Sequence, residues 1–231
     1  MKASSQHAAV IVAGGRGLRL GAHVPKQFLA LAGKPMLMRT IEKFYEFDNQ
    51  MQIVVVLHKD YIDYWKELCL EYDFTIACEL VEGGSTRFES VKNGVVNIPN
   101  YKIVAIHDAA RPLVSKDLIE QCYHHARVNQ CGIVPVVEEI NSLRLVKGTK
   151  HKALDRTHIR IVQTPQIFPA HLIKEAYKTD YASHFTDDAT VAESHGITIQ
   201  LIEGEDTNMK VTTSIDMDFA SFLLKNNDCI I

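Results

Sequence analysis

The stretch from Ala13 to Gly21 (AGGRGLRLG) combines four glycines with Arg16 and Arg19, and Pro25-Lys26-Gln27 follows. Glycine lets a backbone come close to a ligand and take positive φ. Successive backbone N–H groups in such a loop can cradle phosphate oxygens. Arg16, Arg19 and Lys26 add fixed positive charge. Attack at the α-phosphorus of a triphosphate shifts negative charge onto the departing pyrophosphate. Cations held there stabilise the transition state more than the ground state. Two other phosphate motifs fit less well. Gly15-x-Gly17-x-x-x-Gly21 is a loose dinucleotide fingerprint, but no acidic residue stands clearly at the end of the second strand to hold a ribose. Gly33-Lys34 runs into Pro35, where a P-loop needs Ser or Thr. A plain glycine-rich turn remains the simplest competitor, and the three cations favour phosphate binding over it.

Further clusters stand where strands end. Gly83-Gly84-Ser85-Thr86-Arg87, leading to Ser90, suits close contact with a base or ribose, and equally suits an ordinary helix cap. His107-Asp108-Ala109-Ala110-Arg111-Pro112 places two charges beside small residues. Such charges are costly to bury without partners. Asp108 could hold a ribose hydroxyl, face a magnesium ion or pair with Arg111, and its place at a strand end favours a site. Asp155-Arg156 and Gln163-Thr164-Pro165-Gln166 close the next segment, and Thr186-Asp187-Asp188 reads as a helix cap. Lys210 precedes the last helix, where a lone lysine is usually solvated surface. His124 and His125 are adjacent on a helix and point apart, which makes a poor metal pair.

The elements that must position these residues alternate. Strands are expected at Ala8–Ala13, Gln52–Leu57, Thr75–Val81, Lys102–His107, Gly132–Val137 and Ile197–Ile202. Helices are expected at Met36–Phe47, Tyr61–Tyr72, Arg87–Val96, Ser115–Val128, Pro169–Lys178, Asp187–His195 and Ser214–Lys225, with Ser115 and Ser214 as N-caps. Continuously apolar strands are buried on both faces. They imply an α/β, Rossmann-like, mainly parallel sheet with helices on each side. Ligands on such sheets bind at the carboxyl ends of the strands. The polar stretch 138–163 is long for a structureless loop. It reads as an extended β-arm or hairpin at a subunit interface, protruding from a single domain spanning 1–231.

Composition narrows the classes. The chain has 231 residues, 46% of them hydrophobic, and a formal charge of −3. A sizeable core is possible, and a broad nucleic-acid surface is not indicated. Cys69, Cys78, Cys122, Cys131 and Cys229 form no C-x-x-C pair, and their odd number argues against a disulfide framework or zinc site. No apolar run suggests a signal peptide or membrane helix. A cytoplasmic location with reduced thiols is expected.

Taken in order, AGGRGLRL, PKQF, GGSTRFESV, HDAARP, DR, QTPQIF, TDDA and NMKVT resemble the 2-C-methyl-D-erythritol 4-phosphate cytidylyltransferase family of the non-mevalonate isoprenoid pathway. The resemblance runs from about His7 to the last helix. The related ribitol 5-phosphate cytidylyltransferases share AGG, PKQF and QTPQ. The resemblance implies a nucleotide-diphospho-sugar transferase type of fold and a cytidylyltransferase that places CMP from CTP on a small polyol phosphate. Arg19 and Lys26 would hold the triphosphate. Ala13, Gly14, Gly15, Gly83, Ser90 and Ala109 would line the CTP pocket. Asp108, Arg111, Arg156 and Lys210 would grip the acceptor, with Ser142 and Thr164 close by. Magnesium would be held mainly by the CTP phosphates, with no dedicated protein ligands. The arm would exchange within a homodimer, so that Arg156 serves the partner's site. Leu18, Ser142 and Thr207 depart from residues common in the family, and these bear on the acceptor rather than on CTP.

The implied chemistry is an in-line displacement resting on alignment and charge, with Arg19, Lys26, Lys210 and magnesium opposite the phosphates. Other classes are a non-catalytic CTP-binding regulator and an NADP-dependent oxidoreductase. Binding of CTP against NADPH separates these.

Overall fold

The computed structural model describes residues 5–15 and 24–227. The glycine-rich segment carrying Arg16, Leu18 and Arg19 lies outside them. In chain order the strands are β1 (His7–Ala13), β2 (Ala30–Leu31), β3 (Lys34–Pro35), β4 (Gln52–Leu57), β5 (Glu79–Glu82), β6 (Ile103–Asp108), β7 (Gly132–Glu138), β8 (Leu143–Lys147), β9 (Lys150–Leu154), β10 (Arg160–Val162), β11 (Gln166–Pro169) and β12 (Ile199–Glu203). The helices are α1 (Met36–Phe47), α2 (Ile62–Glu71), α3 (Arg87–Val95), α4 (Lys116–Asn129), α5 (Ala170–Ala176), α6 (Asp188–Ser194) and α7 (Ser214–Asn227).

The central sheet runs β5-β4-β1-β6-β11-β7, and β7 also pairs with β12 and, further along its length, with β10. β1 is parallel to β4 and β6, β5 to β4, and β12 to β7. β10 and β11 run antiparallel. The expected α/β architecture is therefore present. Alternation along β1 builds both halves of the core. Ala9, Ile11 and Ala13 face α1, α2 and α4, with Leu37, Phe44, Trp65 and Leu118. Ala8 and Val10 face α3, α5 and α6, with Phe88, Val91, Ile173 and Val191. α3 lies so close to the sheet that a Cβ at Gly94 would sit 2.5 Å from Val10 Cγ1 and 2.8 Å from Val56 Cγ2.

Four expectations need correction. The third strand begins at Glu79, because only Glu79–Glu82 pair with β4, and Thr75–Cys78 lie outside the ladder. Gln166–Pro169, for which no strand is expected and whose Pro169 is expected to open a helix, is an antiparallel strand wedged between β6 and β7. The cap of α7 is Thr213, whose hydroxyl accepts from Asp216 N at 3.2 Å, rather than Ser214. The protruding hairpin is confined to β8 and β9, joined through Gly148 at φ 59°, while β10 returns to the sheet. Ser115 caps α4 as expected, accepting from Leu118 N at 2.9 Å. Among the described residues no helix is long and apolar enough to cross a membrane.

Candidate active site

The ends of β1, β4, β5 and β6 open into a cleft of about 1040 Å³. Ala13, Gly14, Gly15, Gly83, Ser90 and Ala109 all line it, as does Lys26. Gln27, buried on the short 3-10 turn Lys26–Phe28, donates to Ala13 O at 2.8 Å and Gly15 O at 3.0 Å. It thereby ties the strand end to the Pro25-Lys26-Gln27 segment. Lys26 Nζ donates to Val211 O at 2.7 Å.

On the opposite lip, Thr86 and Glu89 form a capping box at the start of α3. Ser90 is spent internally: its hydroxyl donates to Thr86 O at 2.9 Å and accepts from Gly84 N at 3.1 Å. A Cβ at Gly14 or Gly83 would meet Ser90 Oγ at 3.0 Å, so glycine at both positions lets the two loops close around it. Ser90 shapes the wall and does not offer a free donor to the cleft.

A smaller cavity of about 250 Å³ adjoins the cleft, lined among others by Arg111, Thr164, Gln166 and Asp187. Arg87, Asp108 and Lys210 belong to both cavities. Asp108 does not pair with Arg111. Its carboxylate takes Lys210 Nζ at 2.7 Å and Arg87 Nε at 3.3 Å. Burial alone would raise the Asp108 carboxyl, but Arg87 and Lys210 outweigh it and hold the group well below the usual carboxylate range. Arg87 also makes a two-pronged bond to the fully buried Asp188, at 2.8 and 2.7 Å, and Tyr177 donates to Asp188 at 2.6 Å. Burial works against the Arg87 charge, and Asp188 and Asp108 more than restore it.

Arg111 donates to Asn208 O at 2.6 Å and Val162 O at 3.3 Å, and its buried Nε has no partner among the described residues. Asn208 donates to Thr164 O at 2.8 Å, and Val211 N to Ala110 O at 2.8 Å. These bonds pin the segment before α7 to the turn after β6, which carries Lys210 to Asp108. The lone lysine on that segment is partly exposed, yet it lines both cavities.

Ser142 and Arg156 are not brought to either cavity of their own chain. Both are exposed at the base of the hairpin, where Arg156 donates to Ile140 O. Gln27, Arg87, His107 and Asp188 were missed as individual site residues. Their signals were weak: a glutamine beside Lys26, a charge at the first position of a helix, and polar residues inside an apolar strand and a cap.

Comparison with known proteins decides the family. A profile of the 2-C-methyl-D-erythritol 4-phosphate cytidylyltransferase family matches residues 7–226. The chain belongs to this family. The 2-C-methyl-D-erythritol 4-phosphate cytidylyltransferase of Bacteroides fragilis is 44% identical over 216 residues, covering 94% of this chain and 98% of its own. That of Porphyromonas gingivalis is 44% identical over 217 residues, covering 94% and 96%. The crystal structure of the Francisella tularensis cytidylyltransferase superposes with a TM-score of 0.79 at 29% identity, covering 94% of this chain and 99% of that one. Within this cytidylyltransferase family, the cleft at the strand ends is the place to seek nucleotide chemistry.

Proposed function

We propose that this chain transfers CMP from CTP to 2-C-methyl-D-erythritol 4-phosphate, giving 4-diphosphocytidyl-2-C-methyl-D-erythritol and pyrophosphate in the non-mevalonate isoprenoid pathway. The observation that carries the reading is the shared wall. A nucleotide-sized cleft and a small polar cavity meet at Arg87, Asp108 and Lys210. Two substrates seated in them would face one another across that wall.

In this reading CTP occupies the cleft, with its base toward Gly83 and Ser90 and its phosphates toward Gly14, Gly15 and Lys26. The acceptor occupies the smaller cavity, with its phosphate near Lys210 and Arg111. An acceptor phosphate oxygen attacks the α-phosphorus, and the bond to the bridging oxygen breaks. Pyrophosphate leaves with the bonding electron pair. A phosphate monoester is largely ionised at neutral pH, so no strong general base is needed. Lys26, Lys210 and Arg19 balance the charge that moves to the leaving group. Asp108 holds Lys210 on the shared wall, from which it can turn to the phosphates.

Magnesium would be brought by the CTP phosphates. The described residues contain no group of three or more His, Cys, Asp or Glu able to hold a metal, and both Asp108 oxygens already face cations. This suits an ion carried mainly by phosphate oxygens and water. It supplies charge neutralisation at the phosphates.

The exposed hairpin suits exchange within a homodimer. Arg156 and Ser142 would then reach the partner's smaller cavity, since they reach neither cavity of their own chain. The free thiols at Cys69, Cys78, Cys122 and Cys131 suit a reducing cytoplasm.

Pyrophosphate release from CTP and magnesium, run in parallel with methylerythritol phosphate and ribitol 5-phosphate, tests the reading. Release with the first alone is expected. Release with ribitol 5-phosphate alone would overturn the acceptor and keep the chemistry.

A further inference from the structure

We propose that His107 is a positioning residue that holds the Thr164 hydroxyl as a hydrogen-bond acceptor, so that Thr164 reads a hydroxyl of the acceptor substrate rather than its phosphate. The inference rests on the polyol phosphate reading above and specifies one contact within it.

His107 is fully buried near the end of β6, with its ring edge-on to Phe44 at 5.0 Å between centroids. Its Nε2 lies 3.1 Å from Arg111 O, and a carbonyl oxygen can only accept. Nε2 therefore carries a hydrogen. Burial, aided by the nearby Arg111 and Arg87 charges, lowers the imidazole pKa to about 4, so the ring is neutral near pH 7. Nδ1 is then a bare lone pair. Thr164 Oγ1 stands 3.1 Å from it and must donate. The same oxygen accepts from Asp108 N at 3.1 Å.

A threonine hydroxyl has one proton and two lone pairs. The proton is committed to His107, and one lone pair to the Asp108 peptide. What Thr164 has left for a ligand is a single lone pair. That lone pair attracts a hydroxyl hydrogen and repels an anionic phosphate oxygen. Thr164 lines the smaller cavity together with Arg111 and Lys210, whose cations are the natural partners for the phosphate. Charge and polarity thus divide the cavity into a phosphate end and a hydroxyl-reading end.

The first test uses the unaltered full chain with acceptors in which each hydroxyl in turn is replaced by hydrogen or by fluorine. Fluorine accepts weakly but cannot donate. At one position both replacements should raise the acceptor KM about tenfold, the usual worth of one hydrogen bond. In Thr164→Val that penalty should vanish. A fluoro analogue that matches the parent where the deoxy analogue fails would show Thr164 donating and overturn the inference. So would the lack of any sensitive position. A second test isolates His107. His107→Gln can still donate to Arg111 O but offers Thr164 no acceptor at Nδ1. It should raise the acceptor KM about tenfold with little effect on the CTP KM, and add nothing to Thr164→Val. Additive losses would overturn the positioning role. Turnover of the parent acceptor without these patterns refutes this inference alone, whereas no turnover with it refutes the functional reading as well.

Discussion

Asp188→Asn should destabilise the fold by about 3 kcal/mol. Asp188 has no exposed surface and receives three hydrogen bonds, two from Arg87 and one from Tyr177. Asparagine keeps the shape but removes the charge, and it turns an amide nitrogen toward a donor. Removing one partner of a buried ion pair costs about 3–5 kcal/mol, because the other charge is left uncompensated. The low end applies here for two reasons. Arg87 keeps 29% of its side-chain surface exposed and can recruit water, and it retains Asp108 at 3.3 Å. For a chain of this size about 3 kcal/mol corresponds to a fall in Tm of roughly 6–12 °C. Urea denaturation followed by circular dichroism reads it directly, with Tyr177→Phe losing a smaller amount, about 1–2 kcal/mol. The decisive comparison is Arg87→Met with Asp188→Leu. Buried pairs replaced together by apolar residues are often neutral, so this double variant should be more stable than Asp188→Asn while losing activity. A loss below about 1 kcal/mol in Asp188→Asn, or a double variant no better than the single, would refute the view that Asp188 serves to compensate Arg87.

Lys26→Ala should lower kcat by about 10²-fold in the pyrophosphate assay, the scale for losing one preorganised donor. Gly94→Ala should cost about 1–3 kcal/mol in denaturation while leaving the CTP KM near its parent value, since the added methyl strikes Val10 and Val56, neither of which lines the cleft. If the arm is exchanged within a homodimer as proposed, mixed dimers of Arg156→Ala with Lys26→Ala should recover up to about half of the parent turnover, and recovery of almost none would refute the exchange. Stability should also fall with acid through His107. Its folded pKa of about 4 lies below the ordinary 6.5, so the unfolded chain takes up the proton first. The contribution is whole above pH 6.5 and shrinks as pH drops toward 4, by up to about 3 kcal/mol, a slope that His107→Gln should lack in denaturation series.

The sheet was legible because β1, β4 and β6 are continuous apolar runs, whose burial on both faces follows from composition alone. Glu79–Glu82 was blurred because an edge strand pairs over only four residues, and the apolar residues before it pack without joining the ladder. Gln166–Pro169 escaped because it is short, proline-bounded and defined by what lies on either side of it in space. The glycine-rich loop and the turn after β6 pointed to the cleft through residue type and position. The partners of Asp108 could not be read locally: Arg87 is 21 residues away and Lys210 more than 100. Sequence proximity suggested Arg111, which the fold instead commits to backbone carbonyls of two distant segments. His107 hid for a related reason, since one polar residue inside an apolar strand reads as a satisfied core group until its two nitrogens are traced to their partners.

That exchange of partners matters for how the two cavities work together. Had Asp108 paired with Arg111, its carboxylate would have been drawn into the smaller cavity, leaving Lys210 to solvent. Because Arg87 and Lys210 flank it instead, the carboxylate stands as a fixed anion between two cations on the wall common to both cavities. Arg87 is in turn held by Asp188, so it cannot collapse fully onto Asp108. Lys210 is left with one carboxylate contact, 44% side-chain exposure and a backbone pinned through Asn208 and Val211. It is the member of the trio able to turn toward an incoming phosphate without leaving a buried charge unpaired. The cost of that turn is one partly exposed ion pair, which is small, whereas the same movement by Arg87 would break a buried one. The geometry therefore assigns the mobile cation to Lys210 and the fixed one to Arg87.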